Sequence, residues 1–187
     1  MGKSRYSIIF LLAVYTGMRQ GELLGLRWSD IDFDKSTIHI QQTLSHDGKE
    51  LRPYTKTKSS IRSVAISSET IAVLKKHRHL IKQEKVFLGT DYKDNDLVIC
   101  TSLGTPVIPR HINKVWDHLL KQVKVNRITF HNLRHTHASL LLKQGIHPKI
   151  VSERLGHSSL QMTLDTYTHL LPNMQEAAAA GLEQMLK

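Results

Sequence analysis

The stretch His131-Asn132-Leu133-Arg134-His135 decides the fold of this chain, and it is followed by Leu155-Gly156-His157 and by Tyr167. Thr129 is a helix-capping residue directly before this stretch, and Gly145 is suited to ending the helix that Thr129 begins. Pro148 and Gly156 bound a second helix in the same way. We therefore predict two consecutive helices between these boundaries, with short helical turns around Tyr167.

Helix-forming patterns also occupy much of the remaining chain. Apolar residues recur at helical spacing, and polar caps or glycines mark the ends of each segment. We predict further helices over residues 4–16, about 19–24, about 67–82, about 110–123 and 177–187. The first of these is closed by Gly17, and the last is rich in alanine.

The sequence between residues 37 and 66 has a different pattern. Ile38 and Ile40 alternate with polar residues, Asp47-Gly48 is a hairpin turn signal, and residues 62–66 alternate again. We predict a small antiparallel sheet of about three strands here, and one short apolar strand within the loop-rich residues 89–109. The fold class is therefore α+β, mainly α-helical with a small antiparallel sheet.

Composition and charge point to a globular domain that binds a polyanion. The chain has 187 residues, of which 40% are hydrophobic, and this length suits one domain. Lysine and arginine number 26 against 16 acidic residues, for a formal net charge of +10, which favours nucleic acid as a partner. Cys100 is the single cysteine, so no internal disulfide can form and we expect a cytoplasmic location. The apolar run Ile8–Val14 is too short to span a membrane.

Histidines and an arginine share one face of the predicted helix after Thr129. His131 and Arg134 are three positions apart, and a guanidinium there can hold a phosphate through two parallel hydrogen bonds. A structural salt bridge for Arg134 and a cap for His131 are the alternative. His131 and His135 also have the spacing of two metal ligands, but Arg134 would repel a cation, so we expect no metal site.

Two further side chains are candidates for chemistry on a phosphate. The phenol of Tyr167 is a potential nucleophile, although its ordinary pKa of about 10 means that attack needs a base or a positive field. Lys56, between two predicted strands, is placed to donate a proton to a leaving oxygen. The alternative for Tyr167 is a half-buried structural tyrosine, and the alternative for Lys56 is a solvated basic turn. Lys58 or Arg62 could equally contact the phosphate.

Taken together, these residues resemble the catalytic domain of tyrosine recombinases, of the integrase type found in phages and conjugative transposons. The matching pieces are Thr16-Gly17-Met18-Arg19-Gln20-Gly21-Glu22-Leu23, Lys56-Thr57-Lys58, His131-Asn132-Leu133-Arg134-His135-Thr136, Leu155-Gly156-His157 and Tyr167. They occur in the family's order and span nearly the whole chain. The resemblance implies the α+β fold of that catalytic domain.

The resemblance also implies an active site. Arg19 and Arg134 would hold the scissile phosphate, and Tyr167 would attack it to form a 3′-phosphotyrosyl link. Lys56, or Lys58 in its place, would protonate the leaving 5′ oxygen. No cofactor or metal is implied, because the phosphotyrosyl bond retains the energy needed to reseal the strand.

The remaining matched residues would support this reaction. His131 would act as general base or proton shuttle, His157 would hydrogen-bond the phosphate, and Glu22 would orient neighbouring side chains. A type IB topoisomerase, which uses similar chemistry, is one rival function, but the close succession of Leu155-Gly156-His157 and Tyr167 favours the recombinase. A non-catalytic DNA-binding module is the other, and the presence of both arginines argues against it.

The resemblance implies one catalytic domain over residues 1–187, with a core of about 1–171 and a tail helix over 172–187. The tail either packs on its own domain or is exchanged between protomers. Because the Arg19 motif begins close to residue 1, we expect the family's N-terminal DNA-binding domains to be absent. The expected partner is double-stranded DNA at a specific attachment site, bound by a homotetramer in the synaptic complex, whereas the isolated domain would be a monomer.

Overall fold

The computed structural model of the protein describes residues 5–53, 61–167 and 183. Within these ranges the helices are α1 (Ser7–Thr16), α2 (Gln20–Leu24), α3 (Ser68–Leu88), α4 (Pro109–Gln122), α5 (Phe130–Lys143), α6 (Pro148–Leu155) and α7 (Leu160–Tyr167). The strands are β1 (Ile31–Asp32), β2 (Thr37–Ile40), β3 (Gln42–Leu44), β4 (Leu51–Pro53) and β5 (Arg62–Ala65). The predicted fold class, mainly helical with a small antiparallel sheet, is confirmed.

The described strands form two separate antiparallel sheets. The larger has the order β1-β2-β5, with Ile38 opposite Val64, and both side chains are fully buried. On the other face of the same pair, His39 Nδ1 and Ser63 Oγ lie 2.8 Å apart. The second sheet is the β3-β4 hairpin, which turns at Asp47-Gly48 as predicted and packs against α2. The small antiparallel sheet within residues 37–66 was therefore predicted, but strand β1, which lies before residue 37, and the separation of the hairpin from the sheet were not.

Most predicted helix ends agree with the structure. α1 ends at Gly17, whose φ of 67° is left-handed, and α6 ends at Gly156 with a φ of 66°. α3 is longer than predicted: Ser67 caps its first turn, but the helix continues to Leu88, because no breaker occurs before Gly89. The short apolar strand expected within residues 89–109 is replaced by two isolated bridges, at Leu97 and Cys100.

Two hydrophobic cores hold these elements together. The main core gathers buried side chains from α1 to α4, from the sheet and from the start of α5. The smaller core consists of Ala138, Leu142, Val151, Leu155 and Tyr167, which come from α5, α6 and α7. α5 packs against both α1 and α6, while α6 also contacts β5 and α7. This packing brings the ends of α1 and α6 to Arg134 of α5 and the end of α7 to its neighbour His135.

Some predictions concern residues that the structure does not describe. Lys56 and Lys58 lie outside the described residues, and so does the tail helix over 172–187 except for Glu183, which is helical. Cys100 is buried, and burial raises the pKa of its thiol. Among the described helices, none has the length and apolar character needed to cross a membrane.

Candidate active site

Arg134 lies on α5 and joins the C-terminal ends of two other helices. Its Nη1 donates to the Gly17 carbonyl at 2.7 Å, and its Nη2 donates to the Leu155 carbonyl at 2.8 Å. The last carbonyls of a helix lack partners within that helix and carry partial negative charge, so a guanidinium suits this position. Burial and the charge of Arg19 lower the pKa of Arg134 to about 10, and the side chain therefore stays cationic at neutral pH.

Arg19 approaches the same helix end from α2. Its Nη2 donates to the Gly156 carbonyl at 3.0 Å, next along the chain to the Leu155 carbonyl that Arg134 uses. Its Nη1 donates to Glu22 at 2.9 Å. The Arg19 side chain remains 41% exposed. Two guanidiniums from distant parts of the sequence thus meet at the end of α6, one buried and one open to solvent.

Glu22 is buried between Arg19 and Arg62. Its carboxylate accepts from Arg19 at both the backbone N–H and Nη1, and from both terminal nitrogens of Arg62 at 2.9 Å each. Burial alone would raise the pKa of Glu22, but the hydrogen bonds and charges of Arg62 and Arg19 lower it below its usual value. Glu22 therefore stays ionised and holds Arg19 through two hydrogen bonds. Arg62, considered above as a phosphate contact, is instead committed to Glu22.

The turn after α6 explains the Leu155-Gly156-His157 motif. A Cβ at Gly156 would lie 2.8 Å from Nη1 of Arg62, so a side chain there would displace Arg62 and would also be strained by the positive φ. The turn places His157 so that its Nδ1 lies 2.8 Å from Thr163 Oγ1. Burial, with the charges of Arg134 and Arg19, lowers the pKa of His157 to about 4, and its imidazole is neutral at pH 7.

Tyr167 lies at the end of α7 and contributes its ring to the smaller core. The residue is 4% exposed, and its hydroxyl lies 2.7 Å from Nδ1 of His135. Burial raises the pKa of the Tyr167 phenol, and the nearby charge of Arg134 partly opposes this shift. The phenol is therefore protonated at neutral pH, within electrostatic range of Arg134.

His131 lies against His135 and beside an open cleft. The two imidazole rings meet edge to face with centroids 4.8 Å apart. A cleft of about 300 Å³ is lined by His131, Arg19 and Arg134, and also by Arg127. Burial and the neighbouring His135 lower the pKa of His131. The cleft therefore has cationic and hydrogen-bonding groups that suit a phosphate, whereas Tyr167 lies beside it in the smaller core.

The structure brings together five of the six residues that the sequence singled out as catalytic candidates, namely Arg19, His131, Arg134, His157 and Tyr167. Lys56 lies outside the described residues. Two members of the site were missed, since His135 was considered only as a metal ligand and Arg62 only as a phosphate contact. The four-residue spacing of His131 and His135 was the available signal for His135. No local pattern pairs Arg62 with Glu22, which lies 40 positions earlier.

Curated relatives resemble the chain along nearly its whole length. It is 39% identical over 195 residues to "Tyrosine recombinase XerC-like" of Caldanaerobacter subterraneus subsp. tengcongensis, covering 97% of this chain and 50% of the relative. It is 34% identical over 187 residues to the ICEBs1 integrase of Bacillus subtilis, covering 98% of this chain and 49% of the relative. The chain thus spans about half the length of these relatives.

Solved structures share the fold at lower sequence identity. The Tn1549 transposon integrase, in complex with transposon right end DNA, superposes with a TM-score of 0.78 at 22% identity, covering 100% of this chain and 61% of that one. The XerA recombinase superposes with a TM-score of 0.68 at 24% identity, covering 99% of this chain and 57% of that one. Residues 2–174 match the phage integrase family. The chain therefore belongs to the phage integrase family of tyrosine recombinases.

Proposed function

We propose that this chain carries the strand-cutting and strand-joining step of a site-specific DNA recombinase. The observation that carries the proposal is the meeting of Arg19 and Arg134 at the consecutive carbonyls of Leu155 and Gly156. Tyr167 lies close enough to Arg134 that the guanidinium lowers the pKa of the phenol and the phenolate form raises the pKa of the guanidinium. A phosphate held by the two arginines would therefore lie near a potential nucleophile.

The proposed reaction is a transesterification at phosphorus. The phenolic oxygen of Tyr167 bonds to the scissile phosphorus, and the bond from phosphorus to the 5′ oxygen breaks, which leaves a 3′-phosphotyrosyl link and a free 5′-hydroxyl. Attack concentrates negative charge on the non-bridging oxygens, and cationic donors already fixed in place stabilise that charge. Arg19 and Arg134 supply those donors, with neutral His157 as a further hydrogen-bond donor.

Protonation of the leaving oxygen completes the step. We assign it to Lys56, on the segment between β4 and β5, with Lys58 as the competing candidate. Rejoining follows the same steps in reverse: the free 5′-hydroxyl of a new partner strand attacks the phosphotyrosyl link. The bond energy stays in the covalent intermediate, so the reaction as proposed consumes no nucleotide cofactor.

The proposed substrate is double-stranded DNA at the attachment site of a mobile element, in the cytoplasm. The net charge of +10 and the DNA in the Tn1549 integrase complex support a DNA partner. Exchange of two duplexes needs four cuts, so we propose a homotetramer in the synaptic complex. In this proposal residues 1 to about 171 form the catalytic core, and residues 172–187 form a tail that either packs on its own domain or is exchanged between protomers.

The test is covalent capture of DNA. The protein is incubated with a nicked duplex that carries the attachment site, and denaturing electrophoresis detects a stable protein–DNA adduct. Tyr167→Phe should abolish the adduct while DNA retention in a native gel stays unchanged. Tyr92→Phe is the matched control, because that hydroxyl contacts Cys100 Sγ outside the site, and it should form the adduct normally. An adduct that persists in Tyr167→Phe would exclude Tyr167 as the nucleophile.

A further inference from the structure

We propose that His135 is a catalytic residue that accepts the proton of Tyr167 during attack on phosphorus. This inference rests on the proposed function and adds a residue to it. Its basis is the contact of 2.7 Å between His135 Nδ1 and Tyr167 Oη. The phenolic oxygen is the atom that would bond to phosphorus, so the group that touches it is placed to receive its proton.

The geometry of α5 explains why His135 is in this position. Arg134 and His135 are consecutive on the helix, so their side chains diverge by about 100° around its axis. Arg134 reaches the ends of α1 and α6, whereas His135 reaches the end of α7. One turn of α5 thus carries both a phosphate-binding group and a group that contacts the nucleophile.

His131, which the resemblance implied as general base or proton shuttle, does not contact the phenol in this way. Among the described residues, the hydrogen-bond partner of the Tyr167 hydroxyl is His135. The His131 ring contacts the His135 ring edge to face. His131 lines the open cleft together with Arg19 and Arg134. His131 therefore faces the space for phosphate, and His135 faces the phenol.

The proton transfer balances without a further reactant. Neutral imidazole with its proton on Nε2 presents Nδ1 as an acceptor, and the Tyr167 hydroxyl donates to it. As the oxygen–phosphorus bond forms, the proton moves to Nδ1 and His135 becomes an imidazolium. When the phosphotyrosyl link is broken in the joining step, the same proton returns to the departing phenolate. The base is thus regenerated in each cycle of cutting and joining.

The contact can be tested in the free protein, independently of any reaction. Imidazole ¹⁵N NMR of the histidines should show a shift of the His135 Nδ1 resonance in Tyr167→Phe and no shift of that resonance in Tyr92→Phe. An unchanged His135 resonance in Tyr167→Phe would overturn the inference whether or not the protein cleaves DNA.

The role in chemistry is tested by adduct formation with the nicked attachment site under single-turnover conditions. His135→Ala should slow adduct formation by about a hundred-fold or more, the usual effect of losing a general base. DNA retention should stay unchanged, and added imidazole should restore part of the rate in His135→Ala but none in Tyr167→Phe. The matched control is His79→Ala, an exposed histidine on α3, which should react at the wild-type rate.

His135→Asn separates proton acceptance from positioning, because an amide oxygen can hold the phenol but cannot take its proton. This variant should remain slow. Full activity of His135→Asn, or a faster adduct in His135→Ala, would overturn the inference and leave the proposed function intact. So would a folded, DNA-binding His135→Ala whose lost rate imidazole does not restore. Absence of the adduct in the wild-type protein would instead contradict the proposed function.

Discussion

Arg62 and Glu22 form a buried bidentate ion pair, with both nitrogen–oxygen distances at 2.9 Å. Neither side chain is more than 7% exposed. The Arg62 Nε also donates to the Arg154 carbonyl, so one guanidinium joins strand β5 to α2 and to the end of α6. Glu22 also accepts hydrogen bonds from Arg19, so the pair links the sheet to the proposed phosphate site.

Removing Arg62 should destabilise the whole domain. Deleting one partner of a buried ion pair costs about 3–5 kcal/mol, because the remaining charge loses its compensation. We therefore expect Arg62→Ala to lower the free energy of unfolding by an amount in this range, measured by urea denaturation. Arg52→Ala is the control, since its pair with Glu50 is exposed and should contribute less than about 1 kcal/mol. Equal losses in the two variants would contradict the structural importance of the Arg62 pair.

Charge alone should not replace Arg134. Arg134→Lys keeps a cation but cannot donate in a fork to both the Gly17 and Leu155 carbonyls. We expect the rate of adduct formation to fall by about a hundred-fold or more, as for the loss of a preorganised donor to the transition state. Arg78→Lys, at a side chain stacked on Trp28, is a matched control that should keep its rate. Near-normal cleavage by Arg134→Lys would mean that the phosphate binds elsewhere.

Acid should weaken the fold between about pH 6.5 and pH 4. His137 is buried, with Nδ1 at 2.7 Å from the Val14 carbonyl and Nε2 accepting from Arg154. Burial lowers the pKa of His137 to about 4, against about 6.5 in an unfolded chain, so the unfolded state binds more protons in this window. The contribution of His137 to the free energy of unfolding is therefore complete above pH 6.5 and declines as the pH falls, by up to about 3 kcal/mol. His157, whose pKa is also lowered to about 4, acts in the same direction.

The measurement is the free energy of unfolding across that pH range. His137→Asn should be less stable than the wild type at pH 7 but should show a shallower decline towards pH 4. His79→Ala, an exposed histidine on α3, should keep the wild-type slope. A slope that does not change in His137→Asn would show that this histidine is not the source of the pH dependence.

The proposed acid can be identified by changing the leaving group. A bridging 5′ sulfur departs without protonation, so it removes the need for a general acid. Lys56→Ala should cleave the ordinary substrate by about a hundred-fold more slowly and recover most of its rate with the 5′-thio substrate. Lys58→Ala should show no such recovery. The reverse pattern would transfer the assignment to Lys58.

Helix ends and strand alternation were predictable from local chemistry. Gly17 and Gly156 end their helices as expected, because a left-handed residue after a helix is a short-range requirement that glycine meets at low cost. Ile38 and Ile40 alternate on β2 for an equally local reason. The motif residues were singled out by residue type, order and family resemblance, and their catalytic roles stay predictions.

Contacts between distant residues were not predictable in this way. Arg134 donates to the carbonyl of Gly17, which lies 117 positions earlier, and no feature of either residue specifies the other. No feature of the sequence pairs His135 with Tyr167; the packing of α7 on α6 and of α6 on α5 brought the Tyr167 hydroxyl to its Nδ1. Residue type and spacing thus specified the local elements and the available chemistry. The packing of helices and sheet specified which groups meet, because such contacts depend on the burial of whole faces.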